Sequence, residues 1–320
     1  MRAAVLRRFG APPALTVESA PDPEVGPGGA VVDVEYAGVT FVDTQVRAGR
    51  PPFTPPELPL IPGNGVGGTV RDVGEGVDRA LVGRSVVSTT GGRGGYAERV
   101  AVETGWLIPI PEAVTVRDAV ALLADGRTAL ALVQGARLQA GETVLIEAAA
   151  GGVGTCLVQL ARAAGATVIG AVGSARKIPV VEGLGVTAVV DYSRPDWDQK
   201  IREEIGAVDV VFDGVGGTVG ARAFELVRPR GRFCQYGMAS GSSTKTPADL
   251  RDVNVLRGTA ISPAESHRLS SAALDLAAVG ELVPTIGQEY PLEQVAEAHA
   301  AIEARATIGK TLLRVAESRT

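Results

Sequence analysis

The nitrogen and sulfur side chains that hold metals are scarce in this chain. There are two histidines, His267 and His299, and two cysteines, Cys156 and Cys234, and no pair of either type falls at ligand spacing. The cysteines lie far apart, one in a helical pattern and one in a strand pattern, and read as buried free thiols of a reducing compartment. A basic block is also missing. With a net charge of −5 and no stripe of lysine or arginine, nucleic acid is excluded as the main partner. No apolar run reaches the length of a membrane span, and the opening MRAAVLRRFG has arginines but no apolar stretch behind them. A cytoplasmic protein without a membrane partner is expected. Aromatics make up only 4% while glycines number 41, so the core must be built from small aliphatic side chains.

At 320 residues, two domains are expected. Residues 1–118 alternate short apolar runs, such as AVVDVEY at 30–36 and residues 68–73, with turns dense in proline and glycine: PDPEVGPGG, PPFTPPELPLIPGNG and TTGGRGG. That pattern predicts a β-rich, partly open barrel or sandwich. At Thr115 the pattern changes to a helix N-cap with an acid three residues on, and a second helix is expected over 128–138. From 143 onward, strands (143–147, 167–172, 187–190, 208–212, 231–236) alternate with helices (153–164, 175–183, 196–205, 217–227). A sixth strand is expected at 254–261 and a further helix at 265–278. Alternation of this kind predicts a doubly wound parallel sheet, hence an α/β fold. The tail (helix 291–304, strand 310–315) resembles the first region. The expected layout is therefore residues 1–118 plus 285–320 as one domain, with a nucleotide-binding domain, 119–284, inserted between them.

The most informative segment is TVLIEAAAGGVGTCLVQLARAAG, residues 143–165. An apolar strand runs into Ala150-Gly151-Gly152-Val153-Gly154, and Leu157, Leu160, Ala161 and Ala164 then follow helical spacing. Glycines let a pyrophosphate approach the backbone, and the helix N-terminus beyond them favours an anion. Ala149 replaces the first glycine of the usual fingerprint.

Which dinucleotide binds is decided at the end of the second strand. NAD sites place an acid there for the ribose 2′-hydroxyl. Here the stretch from Val168 to Lys177 has none, and Gly173 is followed by Ser174, Arg176 and Lys177. Those groups attract a 2′-phosphate that a carboxylate would repel, and Tyr192, past the third strand, adds a hydroxyl donor. NADPH is the expected cofactor, although Arg176 and Lys177 also read as ordinary charges at a solvated helix start. Gly214 and Val215 after the fourth strand, and Gly237 and Ser240 after the fifth, fall on the sheet edge where ligands bind.

Matching stretches run nearly end to end: MRAAVLRRFGAP, AGVTFVDTQVRAG, PLIPGNGVGG, GGYAE, DGRTAL, AAAGGVG, GSARK, VDVVFDGVGG, YGMASG and ATIGKTLL. With them the chain resembles the zinc-independent quinone oxidoreductase (ζ-crystallin-like) branch of the medium-chain dehydrogenase/reductase superfamily. The resemblance implies a Rossmann domain inserted into a GroES-like domain. Zinc-dependent relatives carry a Cys near Thr40, a His near Gly63–Asn64 and a lobe with four cysteines; this chain has none of these. Without a Lewis acid, hydride must go to an acceptor activated by its own conjugation, a quinone or an α,β-unsaturated carbonyl.

The resemblance also implies Thr40, where relatives often have Asn, as a group facing the nicotinamide, and Thr128 as one near the nicotinamide ribose. Each has a plainer reading: Thr40 satisfied by local backbone, Thr128 a helix N-cap. Asp43 is expected to hold the Thr40 loop, Lys310 to be structural, and His299 and Glu303 to form a surface pair one helical turn apart. Relatives sometimes carry a Tyr after RAG; here Arg50-Pro51-Pro52-Phe53 stands there. An enoyl reductase acting on acyl thioesters, and a non-catalytic NADPH-binding crystallin, remain as alternatives. A homodimer joined along strand 254–261 is expected by analogy with the family.

Overall fold

The computed structural model describes residues 1–316 apart from positions 52, 248, 250, 251, 259 and 260. It divides into two compact units, Met1–Ala124 with Ser270–Thr320, and Asp125–Leu269. The divisions fall inside helices, a few residues after the first expected boundary and fifteen before the second.

The first unit holds β1 (Arg2–Leu6), β2 (Leu15–Ser19), β3 (Gly29–Val39), α1 (Phe41–Arg47), β4 (Gly65–Val73), β5 (Ser85–Thr89), β6 (Arg99–Glu103), β7 (Leu107–Pro109) and the start of α2 (Val116–Ala136). The expected break before residue 128 does not occur, so α2 is one helix and Thr128 lies within it rather than capping it. Gly126 costs such a helix only about 1 kcal/mol. Buried Ala119, Val120, Leu122, Leu123, Ala129, Leu132 and Ala136 run through both halves and outweigh it.

The second unit holds β8 (Thr143–Glu147), α3 (Gly152–Ala163), β9 (Thr167–Val172), α4 (Ile178–Glu182), β10 (Ala188–Asp191), α5 (Trp197–Glu204), β11 (Val208–Asp213), α6 (Gly217–Phe224), β12 (Val227–Gln235), β13 (Asn254–Arg257) and most of α7 (Pro263–Ala278). The chain then returns to the first unit through β14 (Ile286–Pro291), α8 (Val295–Glu303) and β15 (Lys310–Arg314). Of the expected sixth strand, residues 254–257 are strand, and 259 and 260 lie outside the described residues.

The second unit's sheet is parallel throughout, in the order β10-β9-β8-β11-β12-β13. Its strand order reverses between β8 and β11, and such a switch point opens a crevice beyond the strands' carboxyl ends. Val144, Leu145 and Ile146 are fully buried, as a central parallel strand covered on both faces requires. α3 turns Cys156, Leu157 and Ala161 inward, and ends where Gly165 takes φ 80°. Both cysteines are buried and neither forms a disulfide, and burial raises the Cys234 thiol pKa to about 12.

In the first unit, β15 joins antiparallel to β3, which ties the C-terminal tail into the N-terminal sheet β14-β15-β3-β4-β5-β7. The core of this unit is aliphatic, with Val32, Val34, Val66, Val70 and Leu313 packed against Val295 and Ala298 of α8. Each such side chain contributes about 1.5–3 kcal/mol by burial.

Candidate active site

The turn between β8 and α3 is tied on both sides. Ala149 N–H donates to the Ala171 carbonyl of β9 at 3.0 Å, and Gly151 N–H to the Ala148 carbonyl at 2.8 Å. Ala148 adopts φ 49°, a left-handed conformation that few non-glycine residues hold. A Cβ at position 154 would lie 2.2 Å from the Ala148 carbonyl oxygen, so only glycine allows the turn to close this tightly. Gly151 is the N-cap of α3 and offers no side chain, which leaves the first-turn amides open to an anion. Ala150, Gly151, Gly152, Val153 and Gly154 therefore form one cradle of backbone.

Beyond β9 a second group gathers. A Cβ on Gly173 would meet the Tyr192 hydroxyl at 2.8 Å, which brings Gly173, Ser174 and Tyr192 together. Lys177 lies a turn further on, in the short helix Ala175–Lys177. The Ser174 hydroxyl oxygen is buried and has no hydrogen-bond partner. A buried polar atom without a partner costs free energy unless a ligand completes it, so this group suits a ligand that offers a hydrogen-bonding partner.

The loops after β11 and β12 form a third group. Ser240 N–H donates to the Val215 carbonyl at 2.8 Å and Ala239 N–H to the Gly214 carbonyl at 3.3 Å. A Cβ on Gly237 would lie 2.4 Å from the Gly214 oxygen. Gly214, Val215, Gly237 and Ser240 are thus one interlocked rim at the strand ends.

Beneath that rim sit two carboxyls that the sequence reading passed over. Glu147 ends β8 and Asp213 ends β11, and both are fully buried. Asp213 accepts from Val215 N–H (3.1 Å), Gly216 N–H (2.7 Å) and the Thr244 hydroxyl (2.5 Å). Glu147 accepts from Val215 N–H at 3.2 Å. Burial, and Asp213 beside it, hold the Glu147 carboxyl well above the usual carboxylate range. The sequence signal was an acid closing each of two apolar strands, VLIE and VVFD.

The first unit holds a separate cluster of its own. Thr40 caps α1 in a capping box: Asp43 N–H donates to the Thr40 hydroxyl oxygen (3.3 Å), and Asp43 accepts from the Thr40 amide (2.8 Å) and hydroxyl (2.7 Å). Burial raises the Asp43 carboxyl, and the nearby Lys310 offsets part of the rise. The Tyr96 hydroxyl lies against Asp43 and is pushed well above its usual range by burial.

His299 is no surface residue. It is fully buried on the inner face of α8, edge-on to Tyr96 with ring centroids 5.8 Å apart. Burial first, and then the nearby Arg47 charge, lower its pKa to about 3, and neither ring nitrogen has a hydrogen-bond partner. Glu303 pairs instead with buried Arg47. The surface reading failed because α8 turns Val295, Ala298, His299 and Ile302 to the core at i, i+3, i+4, i+7.

Residues 26–112 match the alcohol dehydrogenase GroES-like domain family, and residues 152–278 match the zinc-binding dehydrogenase family. The chain is 32% identical to 2-haloacrylate reductase from Burkholderia sp, over 97% of this chain and 98% of that protein. It is 31% identical to a quinone oxidoreductase of Pseudomonas aeruginosa, over 95% and 97% of the two chains. The solved structure of Escherichia coli quinone oxidoreductase complexed with NADPH superposes with a TM-score of 0.91, covering 98% of this chain and all of the other at 28% identity. The chain belongs to the medium-chain dehydrogenase/reductase superfamily, with a Rossmann-type unit inserted in a GroES-like one. One of the two family names carries zinc. Among the described residues no group of three or more His, Cys, Asp or Glu is placed to hold a metal ion. No helix among those residues is long and apolar enough to cross a membrane.

Proposed function

We propose that the chain is an NADPH-dependent, zinc-independent reductase that delivers hydride to a quinone or an α,β-unsaturated carbonyl. The observation that carries the cofactor is the group beyond β9: an unpartnered buried Ser174 hydroxyl with Tyr192 and Lys177 nearby, and no carboxylate from Val168 to Lys177. Those groups would hold the 2′-phosphate, the cradle Ala150–Gly154 the pyrophosphate, and the rim Gly214, Val215, Gly237 and Ser240 the nicotinamide half. The names of the relatives, a quinone oxidoreductase and a haloacrylate reductase, agree with an acceptor conjugated to a carbonyl.

When bound, the nicotinamide supplies the hydride. The protein must orient the acceptor and stabilise the oxyanion that forms as hydride arrives. Thr40 is the group assigned to that oxygen, with Thr128 at the nicotinamide ribose. A hydroxyl has one proton, and in the present geometry Asp43 takes that of Thr40. Thr40 can donate to an oxyanion when Asp43 is itself protonated and donates to Thr40 Oγ1, a state that burial of Asp43 favours.

The test is NADPH oxidation across a panel of quinones, enones and enoyl thioesters. Turnover with the first two is expected. Preference for the thioesters would mark an enoyl reductase, and no consumption with any acceptor would favour a non-catalytic binder.

A further inference from the structure

β8 and β11 are hydrogen-bonded neighbours at the switch point of the sheet, with Ile146 opposite Phe212. The next residue of each strand, Glu147 and Asp213, therefore brings two carboxyls side by side where the sheet meets the cofactor crevice. They share a donor: the Val215 amide lies 3.2 Å from Glu147 Oε2 and 3.1 Å from Asp213 Oδ1. Neither side chain reaches solvent. Glu147 Oε1 has no hydrogen-bond partner, whereas both oxygens of Asp213 are engaged. Two carboxylates around one amide in a site closed to water cannot both be ionised.

We propose that Glu147 is a positioning residue for NADPH, and that it acts in its protonated form, completing with Asp213 a single-proton acid pair that fixes the Val215–Gly216 turn. Asp213 holds that turn through two amides and holds Thr244 through its hydroxyl. Val215 in turn carries Ser240. The rim assigned to the nicotinamide half thus hangs on one carboxylate, which a charged neighbour would displace and a neutral one leaves in place. Burial and the adjacent Asp213 both favour the neutral Glu147. The other titratable groups around the pair are Tyr236, whose hydroxyl donates to the Glu147 carbonyl at 3.2 Å, and Tyr192 and Asp125, which lie near Tyr236. Burial and the two carboxyls push the Tyr236 phenol above its usual range, so it stays a neutral hydrogen-bond donor beside Glu147.

The inference rests on NADPH being the cofactor, and direct binding separates the two claims. NADPH dissociation constants of the wild type and of Glu147→Gln are measured by fluorescence titration from pH 6.5 to 9.5, without substrate. Loss of the shared proton should raise the wild-type constant by about tenfold per pH unit above the transition. Glu147→Gln keeps a neutral group that donates to Asp213. It should bind like the wild type near neutrality and lose that extra rise. Infrared spectra of the free protein should show a protonated-carboxyl carbonyl band that the variant lacks. Absence of that band from the wild type, or its persistence in the variant, overturns the inference. If the variant does not fold, a wild-type spectrum without the band overturns it alone. Failure to bind NADPH at any pH refutes the cofactor reading instead.

Discussion

Lys177 and His299 each act through a single side-chain group. Lys177, in the short helix after β9, is the charge assigned to the 2′-phosphate. Lys177→Ala should weaken NADPH by about 1–2 kcal/mol, the scale of a charge-assisted contact, and leave NADH binding unchanged. Equal losses for both cofactors would remove the assignment. His299 bears on stability. Its folded pKa of about 3 lies below the unfolded value near 6.5, so between these pH values the unfolded chain binds the extra proton. Stability contributed by the neutral imidazole is complete above pH 6.5. It falls by about 1.4 kcal/mol per unit as pH drops towards 3. His299→Phe keeps the edge contact to Tyr96 and should flatten that slope in denaturant titrations at pH 7, 6 and 5. An unchanged slope would mean the imidazole is not the group titrating.

At the scale of elements, the cradle between β8 and α3 depends on backbone approaching backbone. Gly154→Ala would put a methyl against the Ala148 carbonyl, which already sits in a left-handed turn. The turn must open, so NADPH affinity should fall at least tenfold and the melting temperature should drop. Wild-type affinity in this variant would place the phosphates elsewhere. This segment was legible in the sequence because strand, turn and helix each leave a local pattern: VLI, then GGVG, then Leu157 and Ala161 at helical spacing. The single helix α2 was not, since DGR looks like a break and only packing along both halves shows that it is not one. β1, β2 and β14 were missed for a related reason. They are short, and their partners lie in segments that no local pattern links to them. Glu147, Asp213 and His299 were missed or misread as sites because burial, which decides their chemistry, is a property of the fold and not of spacing.

For the whole molecule, a dimer is expected by analogy with the family, and the sheet's edge is the seam proposed for it. Among the described residues β13 is the last strand of the parallel sheet, and an edge strand presents backbone groups that can pair with another chain. Val255 and Leu256 are only half-buried there, while Arg257 at its end is a charge that also suits an exposed edge. A dimer paired along β13 is the expected state, and light scattering at micromolar concentration should give twice the 32.8 kDa chain mass. A monomer mass would assign Arg257 the guarding role.

Zinc-independent hydride transfer from NADPH is tested by steady-state turnover of chelator-treated protein with a simple quinone. The specificity constant for NADPH should exceed that for NADH at least tenfold, with no change after EDTA or phenanthroline. Activity that disappears with the chelator and returns with zinc, or that is equal with the two cofactors, would contradict it.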